Sequence, residues 1–482
     1  MIDRKKYEQE MDQARRDEIE YLSDYLRDYI KLNNEIRNLK INLDSDEECI
    51  KNIEKIDIPQ KGRNLKDVAD EIIENVYTKG MIIQHPKFFS FVTSAVSPYS
   101  LAGAVLSNIY NLNACGIELS QSGAVIEQKL VEWMGSRAGF DPEKCGGIFT
   151  SGGSLSNLTG MIAGRDNILS EEERPIGVAY LSDQAHSSVY KGMKMMGLRK
   201  DQIRRLPCDD EYKLDPKVLE EAIKEDLAAG KKPFLVVATL GTTNTGAIDP
   251  FDKIADIRDK YHMWMHVDGA YGGSSLISDI YRNLSAGIER ADSLSWDTHK
   301  WALQTYSCST VIARDKNTFK TVFAEHPEYL ADIISEESYD GWDMGIEMSR
   351  PQRYMKLWFT LQCLGTDKMA DIIDYSFFNA KVAEKELNRL DDVEITSRPS
   401  CGCITFRFTP KEMDPSKYDD YNMAISQRII EDGEAYIVTT VIKGKRVLRL
   451  CLINGNTTDE DVISTVHYLG KLSKQLKKDY IG

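Results

Sequence analysis

The chain of 482 residues is 42% hydrophobic and 28% charged, the balance of an ordinary globular protein and neither a disordered nor a membranous one. Its 61 basic and 76 acidic residues leave a formal charge of −15, which repels nucleic-acid phosphates and anionic lipid headgroups and disfavours both as partners. Nine scattered cysteines without a CxxC pair, seven histidines and no HExxH give a metal site little to build on and suit a reducing cytoplasm.

The start, MIDRKKYEQEMDQARRDE, is charged throughout and shows no secretory signal. Residues 1 to about 80 read as polar helix, with Val68, Ile72, Ile73 and Val76 at helical spacing. The first of these helices has too few apolar residues for its own core and is expected to lie against another surface, such as a second subunit. From about 100 to 370, six short apolar runs (GGIFTS, GVAYLS, FLVVAT, WMHVD, DSLSWD and STVIARD) alternate with helical segments such as SNLTGMIAGRDNIL and DPKVLEEAIKEDLAAG. That alternation predicts βαβ units and a largely parallel sheet. The longest apolar run, PFLVVATLG, is too short to span a bilayer. After 375 the order becomes helix, strands, helix, a hairpin turning at Lys443 to Lys445, and a last helix opening at Thr458 with Asp461 three residues on. The expected division is an N-terminal helical segment over 1–100, a large domain over 101–375 and a small α+β domain over 376–482.

Three features fall at the carboxyl ends of predicted strands, where an open α/β sheet binds its ligand. TSGGSLSN, residues 150–157, leads from strand to helix, so its small residues and helix N-terminus suit a phosphate, with Ser151, Ser154 and Ser156 as hydroxyl donors. A plain strand-to-helix turn reads equally well there, and neither GxGxxG nor GxxxxGK[ST] is present to favour a nucleotide. Asp268 ends the strand WMHVD, where a carboxylate needs a cation or a cap as partner. Lys300 follows DSLSWDTH and is flanked by Trp296, His299 and Trp301; burial among them is expected to depress its pKa and prepare it for Schiff-base chemistry. Taken together, a phosphate cradle, a strand-end carboxylate and a buried lysine match what pyridoxal phosphate requires.

The segments TSGGSLSNLTGMIAGRD, DQAHSSVYKG, ATLGTTNTGAIDP, HVDGAYGG and SWDTHKW resemble, in order and spacing, the group II pyridoxal-phosphate-dependent amino acid decarboxylases, which include aromatic-L-amino-acid, histidine and glutamate decarboxylases. The resemblance runs from about residue 60 to the C-terminus and is greatest to the bacterial aromatic amino acid (tryptophan-type) enzymes. It implies fold type I, a seven-stranded mostly parallel sheet and a homodimer with its active site at the subunit interface. It also implies that Lys300 forms the internal aldimine, that Asp268 keeps the pyridine nitrogen protonated, and that His186 stacks on the ring. Gly153, Ser154 and His299 would hold the phosphate, with Thr243 and Ala270 beside the ring. Asp297 stands where many members carry asparagine, so a carboxylate there has to point away or be neutralised. Tyr329, in the polar stretch 324–342, falls where the family's mobile loop carries the tyrosine that protonates the substrate carbon, which favours amine over aldehyde as product.

For the substrate, the resemblance places Phe91, Val92 and Thr93 along the side-chain pocket and Ser94 near the carboxylate. That apolar lining favours an aromatic amino acid (tryptophan, phenylalanine or tyrosine) over glutamate. Ser349 falls where plant relatives use serine for phenolic substrates. Glu118 aligns near the pocket without an evident role, and Arg449 is within reach of the cofactor region or simply structural. The rival readings are a glutamate-type decarboxylase, an aromatic aldehyde synthase, or a non-catalytic protein that kept the fold.

Overall fold

The computed structural model describes residues 4–43, 47–325 and 340–481. Seven strands form the central sheet: β1 (Gly146–Thr150), β2 (Gly177–Ser182), β3 (Ile203–Leu206), β4 (Lys232–Thr239), β5 (Trp264–Asp268), β6 (Ser293–Trp296) and β7 (Ser309–Ala313). Their spatial order is β1-β7-β6-β5-β4-β2-β3, and every neighbouring pair is parallel except those made by β7. This is the expected α/β fold. All six runs read from the sequence are strands, and the seventh, β3, has the sequence IRRL. Its two arginines sit on an edge that is only half covered, so it lacks the apolar run that marks the others.

Strands apolar at every position belong to a sheet covered on both faces. Along β4, Val236 and Ala238 join a core with Leu130, Phe251 and Ile254, while Leu235 and Val237 face the opposite core with Met161, Ala163 and Val189. The helix Gly153–Ile168 crosses this second face and lies very close to β5. A Cβ on Gly160 would stand 2.5 Å from His266 Nδ1, and one on Gly164 would stand 2.7 Å from Trp264 Cδ1. Only glycine permits that approach.

A second, antiparallel sheet follows, built from β8 (Val393–Ser400), β9 (Cys403–Phe408), β10 (Thr439–Ile442) and β11 (Lys445–Cys451) in the order β8-β9-β11-β10. The expected hairpin joins β10 to β11 through Lys443 and Gly444, whose φ values of 47° and 77° are those of a primed turn. Phe406, Phe408, Ile425, Leu448 and Leu469 fill its core. Thr458 and Asp461 cap the last helix reciprocally: Asp461 Oδ2 accepts from the Thr458 N–H at 2.9 Å, and Thr458 Oγ1 from the Asp461 N–H at 3.2 Å. The helix Thr366–Leu387 passes residue 375 without interruption and ties the two sheets together.

The N-terminal part divides. Phe89 is buried in the core of the small sheet, and the Phe88 ring stacks on Tyr436 at 4.9 Å. Arg37 grips Asp461 with two bonds of 2.7 and 2.8 Å. The helix Arg4–Glu35, in contrast, leaves Ile19 74% and Ile30 56% exposed. Among the described residues no helix is long and apolar enough to cross a membrane.

Candidate active site

The carboxyl ends of β1, β2, β4, β5 and β6 open into one cleft of about 560 Å³. It is lined by Gly153, Ser154, His186, Thr243, Asp268, Ala270, His299 and Lys300, so the phosphate, ring and lysine residues read from the sequence converge. Phe91, Val92 and Thr93 close one side. Each reaches the cleft for a local reason. Gly153 opens the helix Gly153–Ile168, whose first N–H groups have no partner within the helix. A Cβ on Gly153 would meet Asp297 Oδ2 at 2.7 Å and the Ala270 Cβ at 2.9 Å, so this corner tolerates no side chain. His186 caps the helix Ser187–Met195 through Nδ1, which lies 2.7 Å from Ser188 Oγ, and its ring is left at the mouth of the cleft.

Lys300 departs from the sequence reading. Its Nζ lies 2.8 Å from Asp297 Oδ2. Burial works to lower this amine, but the Asp297 carboxylate, by charge and hydrogen bond, with help from Asp268, outweighs it and raises the pKa above that of an ordinary lysine. The expected depression is thus corrected: the flanking tryptophans remove water, but the carboxylate three residues back outweighs them. Asp297 is likewise explained. It is 2% exposed, points into the site, and is neutralised by Lys300 and by a hydrogen bond from Ser309 Oγ.

Replacing Asp297 by asparagine removes the charge that raises Lys300. The free-amine fraction near pH 8 then grows, tenfold for each unit by which the pKa falls, and a fall of about one unit speeds cofactor capture by about tenfold. Stopped-flow absorbance on mixing the apoprotein with pyridoxal phosphate reads this rate. Capture that is unchanged or slower in D297N would show that the ion pair does not govern the amine.

Several residues fall elsewhere than expected. Ser156 is fully buried, and its hydroxyl bonds Thr150 and Ser309 at 2.7 Å each instead of facing a phosphate. Ser94 is buried with its Oγ donating to the Ile453 carbonyl at 2.9 Å, so it is not free for a substrate carboxylate and does not line the cleft. Ser349 is exposed and outside the cleft of its own chain. Glu118 borders a separate groove with Leu106, Tyr110 and Leu119. Arg449 is buried and donates from Nη1 to the Phe91 carbonyl at 2.8 Å, holding the left-handed Phe91 (φ 56°) in the cleft wall. Tyr329 lies outside the described residues. Tyr306 was missed: it lines the cleft, its ring 4.9 Å from that of His299. A tyrosine in the connection between a lysine and the next strand carries no periodic signal that would single it out.

The donor set suits pyridoxal phosphate: an amine for the aldehyde, a carboxylate for the ring nitrogen, an imidazole for the ring face and a glycine-lined helix N-terminus for the phosphate. Residues 48–409 match the model of the pyridoxal-dependent decarboxylase conserved domain. The chain belongs to the pyridoxal-dependent decarboxylase family. A relative in that family, the aromatic-L-amino-acid decarboxylase of Bacillus atrophaeus, is 31% identical over 93% of each chain. Tryptophan decarboxylase 1 of Oryza sativa subsp. japonica is 29% identical over 81% of each, and an L-2,4-diaminobutyrate decarboxylase of Acinetobacter baumannii is 28% identical over 84% of this chain and 83% of its own. Among solved structures, Oryza sativa TDC with PLP and tryptamine superposes with a TM-score of 0.90 at 25% identity, covering 95% of this chain and 98% of that one. Pyridoxal phosphate is the cofactor of these decarboxylases, and this member is a carboxy-lyase that uses it.

Proposed function

We propose that the protein converts an aromatic L-amino acid (tryptophan, phenylalanine or tyrosine) to its amine and CO2. The observation that carries this is the distribution of charge in the cleft. Asp268, Asp297, Lys300 and the two histidines stand at the cofactor end, while the wall of Phe91, Val92 and Thr93 contributes no charge. A glutamate side chain finds no cation on that wall, whereas a flat apolar ring loses water against it. The named relatives that act on aromatic amino acids support the same choice.

When bound, pyridoxal phosphate supplies an electron sink for the pair left on the α-carbon as CO2 departs. In this reading Lys300 holds the aldehyde carbon through its Nζ, and Asp268 keeps a proton on the ring nitrogen. His186 covers one ring face, Thr243 and Ala270 flank the ring, and Gly153, Ser154 and His299 hold the phosphate. Tyr329 returns a proton to the α-carbon, a role that rests on the sequence resemblance. Ser349 belongs, in the same reading, to a substrate pocket completed by a second copy of the chain. The exposed apolar residues of the helix Arg4–Glu35 support such a homodimer. We place the enzyme in the cytoplasm, in keeping with its nine unpaired cysteines.

CO2 release from a panel of tryptophan, tyrosine, phenylalanine, glutamate and 2,4-diaminobutyrate tests this reading. Turnover confined to either of the last two would remove the aromatic assignment.

A further inference from the structure

Behind Asp268, away from the cleft, lies a buried polar network. His266 precedes Asp268 by two residues on β5, so both side chains share the face covered by the helix Gly153–Ile168. The register sets His266 beside Ser293 and Asp268 beside Ser295 on β6. Trp264 Nε1 donates to Ser293 Oγ at 2.9 Å, Ser293 Oγ lies 2.8 Å from His266 Nδ1, and His266 Nε2 lies 3.0 Å from Asn157 Oδ1. Ser295 Oγ donates to the same Asn157 Oδ1 at 2.6 Å and stands 3.4 Å from Asp268 Oδ1. Asn157, His266, Ser293 and Ser295 are all at most 1% exposed.

The donors fix the proton positions. Indole nitrogen can only donate, so Ser293 accepts from Trp264 and turns its own proton to His266 Nδ1. His266 then carries its proton on Nε2 and gives it to Asn157, which orients the carboxamide oxygen toward Ser295. Burial pushes the imidazole down to about 3, so the ring adds no charge beside Asp268. At 2.6 Å against 3.4 Å, Ser295 gives its proton to Asn157; the longer contact is beyond a good O–H···O bond. The better hydrogen bond to Asp268 Oδ1 among the described residues is then that of the Ala270 N–H, at 3.1 Å. Asn157 Nδ2 has no partner among the described residues, while its Oδ1 accepts from both His266 and Ser295.

We infer that Asn157, oriented by His266, is a positioning residue that draws the Ser295 proton away from Asp268 and leaves the charge of that carboxylate for the cofactor's ring nitrogen. The inference rests on the reading of Asp268 given above. Asp297, His299, Lys300 and Tyr306, from the segment after β6, Tyr271, from the segment after β5, and His186, from the other wall, are the titratable groups that share the cleft with Asp268. The covering helix adds none, since its Arg165 and Asp166 pair with each other at the far end.

The test is nitrogen NMR of the holoenzyme loaded with pyridoxal phosphate labelled at the ring nitrogen. In Asp268→Asn the resonance moves to the neutral-pyridine position. In Asn157→Leu, Ser295 turns to Asp268 and competes with the ring, so the resonance moves part of the way. Ser295→Ala stays with the wild type, and the double variant Asn157→Leu/Ser295→Ala returns to it, a rescue that mere loss of packing does not produce. A wild-type resonance in Asn157→Leu alongside a shifted Asp268→Asn would overturn the inference. An unshifted Asp268→Asn would overturn the reading of Asp268 itself, and the inference with it. Should Asn157→Leu fail to fold, histidine nitrogen shifts of the wild-type apoprotein decide: a neutral Nε2–H ring at His266 from pH 6 to 8 is expected, and a cationic or Nδ1–H ring would overturn the inference.

Discussion

Lys300→Ala is expected to bind pyridoxal phosphate without a covalent bond and to lose about 10²- to 10⁴-fold in decarboxylation rate, the range for removing a positioned proton-transfer group. The amine does two things that a methyl group cannot. In the proposed reading it would hold the cofactor's aldehyde carbon in the cleft. Its charge is also supported by Asp297 at 2.8 Å, so in the same reading it would serve as a proton donor and acceptor there. Gly153, Ser154, His186 and Ala270, proposed above to hold the phosphate and ring, are untouched by the change, so cofactor affinity is expected to survive in part. Equilibrium dialysis with turnover under saturating cofactor separates the two effects. A variant that keeps wild-type turnover would show that another lysine carries the chemistry.

Asp268→Asn is expected to cost about 10²- to 10³-fold in kcat with a small change in KM, which is the loss that follows when one preorganised electrostatic contact to a developing charge is removed. Asparagine has nearly the same shape and can still accept from the Ala270 N–H, so the fold is spared. What it lacks is the negative charge that, in the proposed reading, would keep a proton on the ring nitrogen. Asp268 ends β5 and is 4% exposed, so water does not replace that charge. The steady-state constants of D268N check this. A rise in KM with kcat preserved would place Asp268 in substrate binding instead.

The parts of this protein that were legible in its sequence are those encoded locally. Runs such as FLVVAT and WMHVD announce strands buried on both faces, and the hairpin turn and the reciprocal cap at Thr458 are short-range signals. The positions of Lys300, Asp268 and the TSGG turn at strand ends were readable for the same reason. Charge and partner choice were not, because they depend on what the fold brings near. The Lys300 amine is raised and not lowered, since Asp297 turns inward against it. Ser94 and Ser156 read as ligand hydroxyls until Ile453, Thr150 and Ser309 are found to occupy them. Tyr306 exists as a feature of the cleft only in three dimensions. The edge strand β3 escaped because two arginines interrupt its apolar pattern.

The most direct measurement is borohydride reduction of the protein loaded with pyridoxal phosphate, followed by peptide mass mapping. A pyridoxyl-phosphate adduct confined to the peptide that contains Lys300, and prevented by Lys300→Ala, is the predicted result. An adduct on a different lysine, or none in protein that releases CO2 from an aromatic amino acid, would contradict the assignment of Lys300 as the residue that holds the cofactor.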